Sequence, residues 1–158
     1  MLVWLRHPSH PDGEVLTYAL LDDQSNAVLV KDSVFERLGI EASPTSIRVS
    51  TVLNRDQLIA SRRVRDLEVS DYHHQNSIRL PTAYTREDLP ADDDDIPTRR
   101  AANQWDHLVH IAEHIPKRQR VEIGLLIGRN VPQAMKTREV VNGKDHEPWA
   151  ERYDLGWT

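Results

Sequence analysis

An apolar run, Val15 to Leu21, stops abruptly at two carboxylates, Asp22 and Asp23, followed by the polar turn Gln24-Ser25-Asn26. No other stretch limits the fold so tightly. A strand of this kind is buried along its length and delivers a carboxylate at its C-terminal end. That carboxylate either points into a cleft or serves the turn itself, because Asp and Asn side chains accept hydrogen bonds from backbone amides a little further on. A second stretch, much later in the chain, has complementary character. Val121 to Ile127 is strongly apolar, as expected of a strand buried on both faces, and runs into Gly128-Arg129-Asn130. Gly128 falls where a side chain would crowd its neighbours.

The remaining signals are mostly extended. Residues 2–5 and 26–30 predict short strands, and His7 to Gly13, with Pro8 and Pro11, predicts a loop. Ser33 and Glu36 have the spacing of a capping box, and Gly39 follows Leu38 as a stop, so a helix of about two turns is expected with Val34, Phe35 and Leu38 inside. Ile47, Val49 and Thr51 alternate as in a half-buried strand, Asn54-Arg55-Asp56 marks a turn, and Leu58-Ile59 opens the return strand. Further strands are expected at Val64 to Val69 and around Ile78 and Leu80, separated by a turn over Asp71 to Gln75. Residues 88–98 read as a loop. Its run Asp92 to Asp95 lacks the spacing of an EF-hand, so it is expected to be solvated and not a calcium site. Trp105, Leu108, Val109, Ala112 and Ile115 recur at helical intervals and predict a helix over 103–115, with another short helix from Pro132.

Composition narrows the classes. Apolar residues make up 39% and charged residues 28%, which fits one globular domain spanning 1–158 and not a disordered chain. A net charge of −5 argues against nucleic acid as the main partner. Without cysteine there is no thiol catalysis, no disulfide and no cysteine-ligated metal. No apolar run reaches membrane-spanning length, and a cytoplasmic protein is expected. His107, His110 and His114 lie on the polar side of the 103–115 helix and offer a metal-hydrolase alternative, but no HExxH pattern accompanies them; neither a metal nor another cofactor is expected.

The two opening stretches together resemble the retropepsin-like aspartic proteases. In that family an apolar strand ends in an Asp-Ser/Thr-Gly-Ala/Ser loop, and a later apolar strand ending in Gly-Arg-Asp/Asn threads beside it and opens a short helix. Here Leu20-Leu21-Asp22-Asp23-Gln24-Ser25 stands at the first place and Leu125-Leu126-Ile127-Gly128-Arg129-Asn130 at the second. The chain is most similar to the protease segment of Pao/BEL-type retrotransposon polyproteins. Leu89-Pro90, Ile96-Pro97, Trp105-Asp106-His107-Leu108 and Leu155-Gly156-Trp157 fall in that segment's order, so the likeness runs over residues 14–158.

The resemblance implies a mainly β fold, a closed β-barrel half-domain with a flap hairpin and two or three short helices. It also implies an aspartic endopeptidase, acting on peptide or polyprotein as a homodimer. Two carboxylates held close together share one proton, because the like charge raises the pKa of one of them. One chain carries a single such loop, so the second Asp22 must come from a partner subunit. Asp23 competes for the catalytic place, but neighbours on an extended strand point to opposite sides. By the resemblance Asp23 and Gln24 stand where the family has Ser/Thr and Gly, and Ser25 matches. Asn26 stands where an acidic residue is usual, and Gly128, Arg129 and Asn130 brace the loop. Leu53, Asn54, Arg55 and Asp56 fall at the flap, or in an ordinary solvated hairpin. The departures at Asp23 and Gln24 keep a second function open: an inactive dimerisation or peptide-binding module with the same cleft.

Overall fold

The computed structural model of the protein describes residues 1–50 and 57–158. The chain is mainly β. A nine-stranded sheet is built from β1 (Leu2–His7), β2 (His10–Asp22), β3 (Val28–Lys31), β4 (Ser43–Val49), β5 (Gln57–Val64), β6 (Glu68–Asp71), β7 (Ser77–Arg79), β8 (Ala83–Arg86) and β9 (Ile123–Gly128). Their spatial order is β4-β5-β8-β3-β9-β2-β1-β6-β7. A smaller sheet joins β10 (Glu139–Val141), β11 (Ala150–Tyr153) and β12 (Gly156–Trp157). The α-helices among the described residues are α1 (Asp32–Leu38), α2 (Arg99–Ala102) and α3 (Val109–Ala112), and Asp93–Asp95, within the expected loop, forms one 3-10 turn. None is long and apolar enough to cross a membrane.

β9 holds the middle of the large sheet. It runs parallel to β2, with Leu21 beside Ile127 and Asp22 beside Gly128, and antiparallel to β3, with Leu29 beside Leu126. Gly124 through Gly128 are all buried, so the expectation of a strand covered on both faces holds. Leu125 and Ile127 are fully buried in a core shared with Val3, Leu5, Val28, Val30 and the inner face of α1. Removing one of these side chains deletes apolar contact and leaves a cavity that the surrounding strands cannot close. Leu125→Ala is therefore expected to cost about 3 kcal/mol in a urea unfolding experiment.

α1 ends as the sequence implied, with Gly39 in the left-handed region at φ 63° and its N–H donating to Glu36 O. Its start differs. Lys31 is the N-cap and makes no side-chain cap hydrogen bond. Ser33 lies one residue inside, where its hydroxyl donates to Glu122 Oε1 at 2.7 Å. Glu36 instead accepts from Arg62, whose guanidinium also bonds Asp32 and stacks on Phe35 at 4.1 Å.

Three further expectations are corrected. The segment His7 to Gly13 is a hairpin turn and strand, not a loop. His7 pairs with His10, and the Ser9 hydroxyl joins both imidazoles, so Pro11 sits in the exposed start of β2 where no ladder bond is needed. Over 103–115, where a helix was expected, only the single turn α3 is helical, with non-helical turns before and after it. Bonds from Gln104 N to Ala101 O, Leu108 N to Trp105 O and Ile111 N to Leu108 O span only three residues. Such turns place Leu108, Ile111 and Ile115 on one side as a helix would, and these pack on Ala150 and Trp157 of the small sheet. From Pro132 the chain makes successive three-residue turns that bury Val131 and Ala134, with no helix.

Three half-buried carboxylates are held below their ordinary values. The Ser77 hydroxyl and then Arg6 lower Glu68, and the Arg138 fork lowers Asp154. Burial pushes Glu122 up, but Ser33 and Lys31 together bring it below the usual range. A depressed carboxylate contributes stability above its unfolded pKa and loses it as pH falls through the folded value. The melting temperature is thus expected to fall as pH drops from about 4.5 toward about 3. Glu68→Gln should flatten that slope while leaving the protein folded at neutral pH.

Candidate active site

The geometry at Asp22 follows from the strand order. β2 and β3 run antiparallel with β9 between them, so the loop joining them, residues 23–27, must arch over the C-terminal end of β9. The arch is tight. A Cβ on Gly128 would lie 2.5 Å from Ala27 O and 2.7 Å from Ser25 O. The arch is also fastened, with Arg129 N donating to Ser25 O at 2.9 Å.

Asp22 is half-buried at the base of this arch. Its Oδ1 accepts from Gln24 N at 2.9 Å and from Ser25 N at 3.3 Å. Both sequence readings of the Asp therefore meet in one side chain. One oxygen closes the turn, while no described residue hydrogen-bonds Oδ2. Ser25 Oγ donates to Ala27 O at 3.2 Å, which stiffens the far half of the loop. Asp23 and Asn26 are exposed. Asp23 does not line the groove beside Asp22, and its negative charge instead helps raise the pKa of Tyr153, after burial and the Glu151 hydrogen bond.

The groove holds about 790 Å³. Asp22, Gln24, Ser25 and Asn26 form one wall, and Thr45 to Val49 of β4 with Ser50 form the other. Leu29, Tyr84 and Leu126 lie between them. β4 and β5 pair from Ser43–Arg63 to Val49–Gln57, the two arms of a hairpin standing over the groove. Leu53, Asn54, Arg55 and Asp56, expected at a flap, and Thr51 of the expected alternating strand lie outside the described residues.

The other parts of the site expectation are placed as follows. Gly128 and Arg129 meet the loop, Gly128 by close backbone approach and Arg129 through its own N–H. The Arg129 and Asn130 side chains are exposed, and neither hydrogen-bonds a described residue. The brace between the strands is thus made of backbone. His107, His110 and His114 diverge. His107 lies 2.9 Å from Pro148 O and 3.5 Å from Glu147, while His110 and His114 are exposed. Among the described residues no group of three or more His, Asp or Glu side chains is placed to hold a metal ion.

Two further clusters of side chains complete the inventory, the first within the expected turn over Asp71 to Gln75. Asp71 is buried and accepts from the backbone N–H groups of His73, Gln75 and Asn76. Both its oxygens are occupied in shaping the turn, so it is no acid or base for the cavity of about 250 Å³ that it borders. Ser70, His74 and Glu14 stand in line, at 3.2 Å and 3.7 Å, beneath the stacked ring of Trp4. Ser70 is buried in β6, and none of the three lines either cavity. No family model and no curated protein matches the chain.

Proposed function

We propose that the protein is a retropepsin-like aspartic endopeptidase of retrotransposon origin, cleaving a polyprotein as a homodimer with one Asp22 from each subunit. The observation that carries this reading is the threading of β9 between the strands that the Asp22 loop joins. The threading sets a carboxylate, one of whose oxygens is bonded by no described residue, at the edge of a groove of about 790 Å³. The closed half-barrel and the flap belong to the same proposal.

A lone carboxylate, with an ordinary pKa near ~4, is a weak base at neutral pH. A second Asp22 brought against it across a two-fold axis changes that. The two carboxylates titrate as a unit and retain one proton between them. The ionised member takes a proton from water as the water attacks the scissile carbonyl carbon. The protonated member donates to the carbonyl oxygen and stabilises the developing oxyanion. The Gln24 and Ser25 amides hold each Oδ1, leaving Oδ2 to do this work.

A second reading is a peptide-binding dimer without cleavage. Gln24 favours it: its side chain stands in the groove beside Asp22, where the resembled family keeps glycine. The test is cleavage of a mixed peptide library by the wild-type protein from acid to neutral pH, with sedimentation alongside. Cleavage by a dimer supports the protease. A dimer that binds peptides and cuts none supports the module.

A further inference from the structure

We propose that the Asp22 groove selects extended peptides that place a carboxylate side chain over Arg63. This inference rests on the peptide-groove reading above and adds the chemistry of the peptide. The register of the sheet assembles the floor. Arg63 pairs with Tyr84, Tyr84 with Leu29, and Leu29 with Leu126, so four strands contribute one side chain each to a single row on one face. The row begins with apolar leucines next to the Asp22 loop, continues through a tyrosine and ends in a cation. All four of these residues line the groove. Arg63 stands three strand spacings from Leu126, about 14 Å along the sheet, or roughly four residues of extended peptide.

The charge on this face is uncommitted. Arg62, the next residue, points to the other face and is bonded to Asp32 and Glu36. Arg63 is exposed and makes no ion pair with a described residue. Glu41 borders a neighbouring recess with Arg63 and Arg65 but does not pair with either. Arg48 of β4 also borders the groove, but its pairing with Leu58 puts it on the Arg62 face, and the described lining residues include a single carboxylate, Asp22. Arg63 therefore offers a cation, unpaired among the described residues, at the far end of the row from Asp22 in a chain whose net charge is −5. A peptide carrying Glu or Asp at the right place supplies the missing partner, and a basic side chain there is repelled.

The test uses fluorescein-labelled peptides of Ala, Ser and Leu in which a single Glu or Gln is walked along the sequence. Binding is read by anisotropy to the full chain carrying Asp22→Asn, so the result does not depend on cleavage. Glu at one position is expected to bind about 3- to 5-fold more tightly than Gln there, with the advantage shrinking at high salt. Adding Arg63→Gln should erase the difference between the Glu and Gln peptides, and Arg63→Lys should keep part of it. Equal binding of Glu and Gln peptides at every position overturns the proposal. So does a preference that survives Arg63→Gln, or an absence of binding by either peptide. If the preference is present but wild type cleaves none of these peptides, the protease reading fails while the acidic preference stands.

Discussion

Gly128→Ala is expected to destabilise the protein by about 3 kcal/mol and to abolish whatever the Asp22 loop does. The added Cβ would meet Ala27 O, Ser25 O and Ala27 N at 2.5, 2.7 and 2.9 Å. All three atoms are backbone, so no side-chain rotation relieves the clash. Either the arch lifts from β9, breaking the Arg129 N to Ser25 O bond, or β9 shifts against β2 and its buried leucines lose their packing. Gly124→Ala is a useful contrast. Its Cβ would meet side-chain atoms, Val34 Cγ2 at 2.2 Å and Thr17 Oγ1 at 2.6 Å, so it presses on α1 and spares the loop. Urea unfolding of the two variants should show both destabilised. Only Gly128→Ala should also lose function in proportions larger than its stability explains.

Asp22→Asn is expected to lower cleavage by a factor of about a thousand or more while leaving fold and dimerisation intact. The amide keeps an oxygen that can accept from Gln24 N and Ser25 N, so the turn closes as before. What disappears is the ability to hold and release a proton. An Asn pair can neither take a proton from water nor donate one to the carbonyl in the required sense. Asp23→Asn should behave differently. Asp23 is exposed and outside the groove, so its loss should leave the rate within a few-fold of wild type. Matched melting curves and sedimentation for the three proteins, alongside rates, separate loss of chemistry from loss of structure.

Much of the central architecture was legible in the sequence because it rests on short-range rules. The unbroken apolar run of β9, the crowding at Gly128, the left-handed cap at Gly39 and the turn at Asp71 each follow from a residue type in a local setting. The misjudged elements depend on partners far away in the chain. Ser33 has a capping residue's spacing, but Glu122 takes its hydroxyl. The Trp105-to-Ile115 run has helical spacing, yet Asn103 and Asp106 favour turns, and the guanidinium of Arg99 ties down Ile115 O and Glu113 O. A period near three also suits consecutive turns. For the site, the aimed Asp and the threaded strand were readable. The cationic end of the groove was not, because Arg62 and Arg63 look alike until strand register puts them on opposite faces.

The central claim is that two copies of Asp22 form one site, and mixing tests it most directly. Wild type and Asp22→Asn would be unfolded together at varying ratios, refolded at fixed total concentration and assayed on one cleavable peptide. If each site needs an Asp22 from both subunits, activity follows the square of the wild-type fraction, and a one-to-one mixture retains about a quarter. Activity that falls in simple proportion to the wild-type fraction would mean each chain works alone, contradicting the shared site.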